Sequence, residues 1–396
     1  MDYQQENNVW VIGHKNPDTD SICAAICYAN LKNRLQDGFH YIPKRAGSIN
    51  EETKYVLQHF GVEPPEYAED AGAQVKDIAF RRTAGVSGHI SLKKAWELMK
   101  TENVMTLAVT SASDKLEGLI ITGDIAESYM DVYDNHILSR ARTQYKNIVE
   151  TLNGTLLAGN EHAYFLRGKV VVATGSRDVI EECIESDDLV IVGDRDETHI
   201  CALEENASCM VVTGGTQVSA QVLEMANRRD CVVIITPYDT FTAARLINQS
   251  MPIKYFMKKE NFVTFDIDDY VDEVREVMSK KRHRDFPVLD DQRRYLGMVS
   301  RRNLLNMHKK KLILVDHNEK SQAIDGIEGA EILEIIDHHR LGSLETMSPV
   351  FFRNQPLGCT STIVYQMYCE SGIEIEEKIA GLLLLSLIHI SEPTRH

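Results

Sequence analysis

The chain has 396 residues, 43% of them apolar and 26% charged, which is enough to bury the cores of two to four domains. Acids outnumber Lys and Arg by 59 to 43, and the formal charge of −16 argues against a protein that coats nucleic acid or an anionic membrane surface. The eight cysteines form no Cys-x-x-Cys pair and read as reduced thiols of a cytoplasmic protein, with Cys23 and Cys27 one helical turn apart in the core.

The opening, MDYQQENNVW, has no basic segment followed by an apolar stretch, so no secretory leader is expected. The longest apolar run, near 379–390, is too short to span a bilayer. After Asn8, VWVIG reads as a short buried strand, and Pro17 turns the chain. SICAAICYANLKNRL then places Ile22, Ala25, Ile26 and Ala29 at the spacing of a helix packed on a sheet. HYIPKRAG and NEETKYVLQHFG repeat the strand and helix alternation. The character changes near residue 72 and changes back near 309, where KLILVDHNE and EILEIIDHH are again apolar strands ending in acids and histidines. The simplest reading is one parallel α/β domain, residues 1–71 and 309–385, with a long insertion between two of its strands.

The insertion contains a repeat. GLIITGDI starts at Gly118 and GMVSRRNL at Gly297; both run from a glycine through apolar residues to a Ser or Thr, and Asp124 and Asn303 each stand six residues after their glycine. Each copy follows an amphipathic helix, SLKKAWELMK or YVDEVREVMSKK, and a strand. Whole modules therefore correspond, at 72–140 and 251–308. Between them, 141–250 carries the strands KVVVAT, DLVIVG, CMVVTGG and CVVIIT of a third, α/β module.

In an open parallel sheet, ligand sites collect beyond the carboxyl ends of the strands. Three motifs end strands here: His14, Asp18 and Asp20 in GHKNPDTDS; Asp316; and Asp337, His338 and His339. Carboxylates mixed with imidazoles suit Mn²⁺, Co²⁺ or Zn²⁺ better than the all-oxygen sites of Ca²⁺. An extended backbone would point Asp18 and Asp20 to opposite sides, so that each serves a different ion. Two such ions can clamp the attacking and leaving oxygens of a phosphoryl transfer. Asp20 also stands where it could cap the following helix.

HKNPDTDS, VDHNE and DHHRLG, in this order and at strand ends, resemble the DHH phosphoesterase superfamily, and within it the family II, manganese- or cobalt-dependent inorganic pyrophosphatases. The threonine between the two aspartates of DTD is a pyrophosphatase trait, whereas the superfamily's phosphodiesterases commonly carry Gly or Ala there. The paired modules resemble CBS domains, and the segment between them resembles a DRTGG domain, with VTGG at 212–215 as its reduced signature. The resemblance covers almost the whole chain. It implies two Mn²⁺ or Co²⁺ ions, with His14 and Asp18 on the first, Asp20 and His338 on the second, and Asp316 bridging. His339 would then face the substrate phosphate, Asp337 would orient a ligand histidine, and Mg²⁺ would accompany pyrophosphate. In the CBS pair it implies adenine nucleotide binding, by AMP, ADP, ATP or diadenosine polyphosphates. Thr122, Gly123 and Ser300 would lie at phosphate, Asp124 and Asn303 at ribose, and Phe286, Pro287, Val288 and Thr106 along the base. For Asp124 a helix N-cap is the competing role. A homodimer is expected, with neither a nucleic acid nor a membrane partner.

The sequence departs from the family at its end. The family pattern supplies another metal-ligating Asp after a helix like EEKIAGLLLL, followed by a domain whose Lys and Arg side chains grip pyrophosphate. Here SLIHISEPTRH follows instead, and residues 386–396 read as an aberrant tail of a truncated frame. Weak or absent pyrophosphatase activity is the corresponding expectation. The rival readings are a DHH phosphodiesterase acting on short oligonucleotides or cyclic dinucleotides, and a nucleotide sensor without catalysis.

Overall fold

The computed structural model describes residues 7–130, 134–175, 177–305 and 309–386. Nearly all of the expected tail therefore lies outside the described residues. The chain divides into two compact units. One comprises the residues up to Phe80, Asp266–Arg284 and Ser300 onward; the other comprises Arg81–Phe265 and Asp285–Val299. The first unit is larger than the 1–71 and 309–385 proposed from sequence, because the helix Val271–Lys280 and the segment after residue 72 fold with it. Backbone bonds from Val75 and Lys76 to the carbonyls of Asp269 and Ile267 tie the two stretches together.

The first unit is built on a six-stranded sheet. Its spatial order is Phe351–Asn354, Glu331–Asp337, Lys311–Val315, Asn8–Ile12, His40–Arg45, Glu66–Tyr67, and every pairing is parallel. The chain winds outward in one direction from Asn8–Ile12 and in the other from Lys311–Val315, so the winding reverses between these two central strands. Such a reversal opens a crevice at the carboxyl ends. The insertion leaves after the edge strand Glu66–Tyr67 and returns just before the central strand Lys311–Val315.

Alternation along the central strands supplies both faces with apolar side chains. Val9, Val11, Ile313, Val315 and Ile336 pack under the helices Thr19–Leu35, Thr360–Ser371 and Glu377–Ser386, while Ile12, Leu312, Leu314 and Ile335 meet Ala68, Ile324 and Ile327 on the other face. Thr19–Leu35 is buried almost all round over its first three turns, as its small residues Ala24, Ala25 and Ala29 permit. The helix Glu51–His59 begins where the Asn50 side chain accepts the Thr53 N–H. No described helix is long and apolar enough to cross a membrane.

The second unit holds a five-stranded sheet in the order Thr155–Ala158, Val232–Ile235, Cys209–Val212, Leu189–Val192, Val170–Val172. The four strands read from sequence are parallel, and Thr155–Ala158 adds an antiparallel edge that the sequence reading did not contain. The VTGG turn needs its glycines, since Gly214 and Gly215 have φ of 79° and 66° and donate to the carbonyls of Tyr238 and Thr236.

The repeat holds element by element. The helices Leu92–Thr101 and Val271–Lys280, the strands Thr106–Thr110 and Asp285–Leu289, and the strands Leu116–Ile121 and Tyr295–Ser300 each correspond at a displacement of 179 residues. In this register Ser300 matches Ile121, and Thr122 matches Arg301, so Thr122 and Ser300 are not equivalent positions as the motif reading took them to be. Asp124 and Asn303 are equivalent, and they do the same work. The Asp124 carboxylate accepts the Ile121 N–H at 2.9 Å, and Asn303 Oδ1 accepts the Ser300 N–H at 2.9 Å.

Candidate metal centre

The site forms at the crevice between the two central strands. Directly after Asn8–Ile12, Gly13 passes so close to the next helix that a Cβ would lie 1.9 Å from Ser21 Oγ, and Ser21 Oγ accepts the His14 N–H at 3.1 Å. Asp18, not Asp20, caps the helix: its Oδ1 accepts the Ser21 N–H at 2.9 Å. Asp20 lies inside the first helical turn, so the two acids diverge because one is a cap and the other is helical, rather than through an extended backbone.

Both Asp20 oxygens are engaged from 340 residues away. Oδ2 accepts the Thr360 N–H at 2.6 Å and Oδ1 the Ser361 N–H at 3.0 Å, at the start of Thr360–Ser371. Burial and the neighbouring Asp316 charge raise the Asp20 carboxyl well above the usual range.

Asp316 sits at the end of Lys311–Val315 in the left-handed region, at φ 63°, and is 1% exposed. Aspartate reaches that region more readily than most non-glycine residues. His14 Nε2 lies 3.4 Å from its Oδ2, and His338 Nε2 lies 3.4 Å from its Oδ1. His339 Nδ1 is 3.9 Å from Oδ1, and His14 Nε2 is 3.9 Å from Asp18 Oδ1. The three strand-end motifs therefore meet at one mouth of one sheet. Burial alone would raise the Asp316 carboxyl, but the imidazoles of His14 and His338 hold it well below the ordinary carboxylate range. Burial opposes protonation of His14 and His338, yet Asp316 raises both. For His339 the hydrogen bond to Asp337 raises it first.

Asp337 is fully buried and organises the double-histidine turn. Its Oδ1 accepts the backbone N–H of His338 at 2.8 Å and of His339 at 3.2 Å, and faces His339 Nδ1 at 2.8 Å. His338 Nδ1 faces the Leu357 carbonyl at 3.0 Å; donation there leaves the Nε2 lone pair toward Asp316, the tautomer a metal ligand needs.

Two donor sets lie within 4.8 Å of one another internally: His14, Asp18 and Asp316, and Asp316, His338 and His339. They share Asp316. Among the described residues the ion-pair partners of Asp18 and Asp316 are histidines, not Lys or Arg. Clustered carboxylates and imidazoles without a Lys or Arg countercharge fit divalent cations of borderline hardness, which would displace the imidazole protons on binding. The structure groups His339, rather than Asp20, with Asp316 and His338; Asp20 adjoins them through its helix contacts.

Sequence reasoning passed over His317, Asn318, Thr360 and Ser361. His317 is fully buried, with Nδ1 2.9 Å from the Val315 carbonyl and Nε2 without a hydrogen-bond partner, and burial holds its imidazole down at about 4. The Asn318 amide bonds Asp337 Oδ2 and the Arg340 carbonyl, joining two strand-end loops. Thr360 Oγ1 donates to Asp316 Oδ1 at 2.9 Å. The signals were present: HN directly after Asp316, and GCTST opening an apolar helical run.

In the inserted region, Thr106 is buried and donates to Asp285 Oδ2 at 3.2 Å, its equivalent in the repeat. Phe286, Pro287 and Val288 are buried, with Phe286 5.4 Å from Phe265 between ring centroids, so their side chains pack inward. Asp124 is 6% exposed and stands 3.4 Å from Lys258 Nζ; it is not the N-cap but the third residue of the helix Thr122–Met130, its carboxylate reaching back to the Ile121 N–H. Ser300 and Asn303 also bond side chain to side chain, at 2.7 Å. Thr122 and Gly123 border a cavity of about 670 Å³ that Trp96, Tyr129 and Arg245 also line.

Residues 147–250 match the DRTGG domain family and residues 253–309 the CBS domain family. The chain is 42% identical over 380 residues to the cobalt-dependent inorganic pyrophosphatase of Clostridium perfringens, covering 96% of this chain and 69% of that protein. It is 38% identical, with the same coverage, to a probable manganese-dependent inorganic pyrophosphatase of Thermotoga maritima. A crystal structure of the CBS and DRTGG domains of the regulatory region of the Clostridium perfringens pyrophosphatase, complexed with its activator diadenosine tetraphosphate, covers 58% of this chain and all of its own, at 36% identity and a TM-score of 0.56. On this similarity across 96% of its length, the chain belongs to the manganese- and cobalt-dependent inorganic pyrophosphatases of family II.

Proposed function

We propose that the chain hydrolyses inorganic pyrophosphate to two phosphates at the rim around Asp316, under control of adenine nucleotides bound by its inserted region. One observation carries the reading: a single buried carboxylate stands 3.4 Å from an imidazole on each side, and so belongs to two donor sets at once. His14 and Asp18 would hold one Mn²⁺ or Co²⁺, His338 and Asp20 the other, and Asp316 both. When bound, the ions neutralise phosphate charge and hold the reacting oxygens in line, with Mg²⁺ on the substrate.

The chain's own residues supply the positioning. The Asp337 carboxylate fixes His339 through Nδ1, leaving Nε2 to donate to a substrate phosphate oxygen when protonated. The Leu357 carbonyl fixes the His338 tautomer. Asp20 and Asp316 lie buried, so charge acts there in a medium of low dielectric.

For regulation, the region would comprise a CBS module at 72–140, a DRTGG domain at 141–250 and a second CBS module at 251–308. The diadenosine tetraphosphate complex of the Clostridium perfringens regulatory region supports the ligand class. Thr122, Gly123 and Ser300 would donate to phosphate. Asp124 and Asn303 would meet ribose with whatever capacity their bonds to the backbone leave, while Thr106 and the Phe286–Val288 backbone would border the base. A cytoplasmic homodimer completes the proposal; the eight free cysteines fit the reducing compartment.

The test is phosphate release from pyrophosphate with Mg²⁺ and either Mn²⁺ or Co²⁺. Release that needs the transition metal and is lost in Asp316→Asn supports the reading. Cleavage of a dinucleotide phosphodiester instead supports the phosphodiesterase, and nucleotide binding without metal uptake supports the sensor.

A further inference from the structure

Thr360–Ser371 lacks a good N-cap of its own. Its capping residue is Cys359, whose side chain makes no capping bond to a first-turn N–H and pairs instead with the Thr362 hydroxyl, Sγ to Oγ1 at 3.1 Å; cysteine is not among the residues that cap helices well. The first-turn N–H groups must find acceptors elsewhere, and they find Asp20. Thr360 then hydrogen-bonds two of the crevice carboxylates: its N–H donates to Asp20 Oδ2 at 2.6 Å and its Oγ1 to Asp316 Oδ1 at 2.9 Å.

That second bond has a geometric consequence. Asp316 Oδ1 is the oxygen facing His338, and Oδ2 is the oxygen facing His14. A carboxylate turns readily about its last torsion, and turning would break the assignment of one oxygen to each donor set. The Thr360 hydroxyl, itself fully buried, pins Oδ1 on the His338 side.

We infer that Thr360 is a positioning residue for cation capture: the helix start it opens holds Asp20, and its hydroxyl fixes the carboxylate of Asp316 so that each oxygen is presented to a different cation. The inference rests on the two-cation reading above. The helix supplies Asp20 with N–H donors and a favourable dipole, and the carboxylates so held would be presented to the cations together with His14 and His338.

Co²⁺ titration of the full chain, followed by visible absorption and calorimetry, tests it. Groups that orient metal ligands are worth roughly 10- to 100-fold in affinity. Thr360→Val keeps the shape and removes the hydroxyl, and should weaken binding by about that factor with an altered absorption spectrum, while far-UV circular dichroism stays that of the parent. Thr360→Ser, which restores the hydroxyl, should recover most of the affinity. If Thr360→Val binds Co²⁺ as the parent does, the inference falls and the two-cation reading stands. If the parent takes up no Co²⁺, both fall. If Thr360→Ser is as weak as Thr360→Val, the hydroxyl is not the agent and the inference falls.

Discussion

His338 Nε2 stands 3.4 Å from Asp316 Oδ1, longer than a good N–H···O hydrogen bond. It is close to the separation of two atoms ligating one cation at about 2.0–2.2 Å each. His14 stands in the same relation to the other oxygen. Replacing Asp316 by Asn removes a shared charge while keeping the shape. Co²⁺ binding should weaken by more than about 100-fold, beyond the effect of an orienting partner alone, with stoichiometry falling for both ions. Calorimetry of Asp316→Asn checks this, and a variant that still binds two ions at parental affinity contradicts it.

Acidity should act on the metal-free protein in a definite direction. His338 is raised to about 9 by Asp316 against the opposing effect of burial, and Asp20 is raised to about 7 by burial and by Asp316. A histidine whose folded pKa is raised contributes stability below its unfolded value and loses it as pH rises through the folded one. A carboxyl raised by burial disfavours the folded state once it must ionise, which has the same sign. The melting temperature of the metal-free chain should therefore drop as pH rises from 6.5 to 9. Co²⁺ must displace the same protons, so its affinity should rise over that interval, with proton release seen as a dependence of binding heat on buffer. A flat profile with no proton release contradicts it.

The repeat predicts a tolerated exchange. Asn303 and Asp124 accept equivalent backbone N–H groups, so Asp124→Asn should change stability by no more than about 0.5 kcal/mol, the range of an unremarkable substitution. Asp124→Ala, which leaves the Ile121 N–H without its acceptor, should cost about 1 kcal/mol. Urea unfolding of both variants measures the difference, and equal losses would show that this bond is not what Asp124 supplies.

How far the sequence carried the reading is visible at particular residues. The central strands and their terminal acids were legible because apolar runs and abrupt charged ends are local signals. The convergence of His14, Asp316 and His338 was legible because parallel α/β topology forces it. Asp18 and Asp20 were assigned the wrong local geometry, since DTDS offers two acids either of which could start the helix. Thr360 escaped notice because its meaning depends on Asp20, 340 residues away. The motif reading of the repeat paired Thr122 with Ser300, where the strands pair Ile121 with Ser300, because short motifs do not fix register and element ends do.

Backbone geometry supplies a prediction independent of metal. Gly326 has φ 73°, and a Cβ there would lie 1.9 Å from Asp70 Oδ1, which accepts the Gly72 N–H. Gly326→Ala should destabilise the first unit by about 1–3 kcal/mol, from strain and from displacing that carboxylate. Urea unfolding gives the value, and an unchanged midpoint contradicts the geometry.

The most direct measurement of the central claim is anomalous diffraction from crystals of the chain grown with Co²⁺ or Mn²⁺. Two peaks about 3.5–4 Å apart, with one Asp316 oxygen on each, His14 and Asp18 on one ion and His338 on the other, are the predicted result. A single peak, or ions held without Asp316, would contradict it.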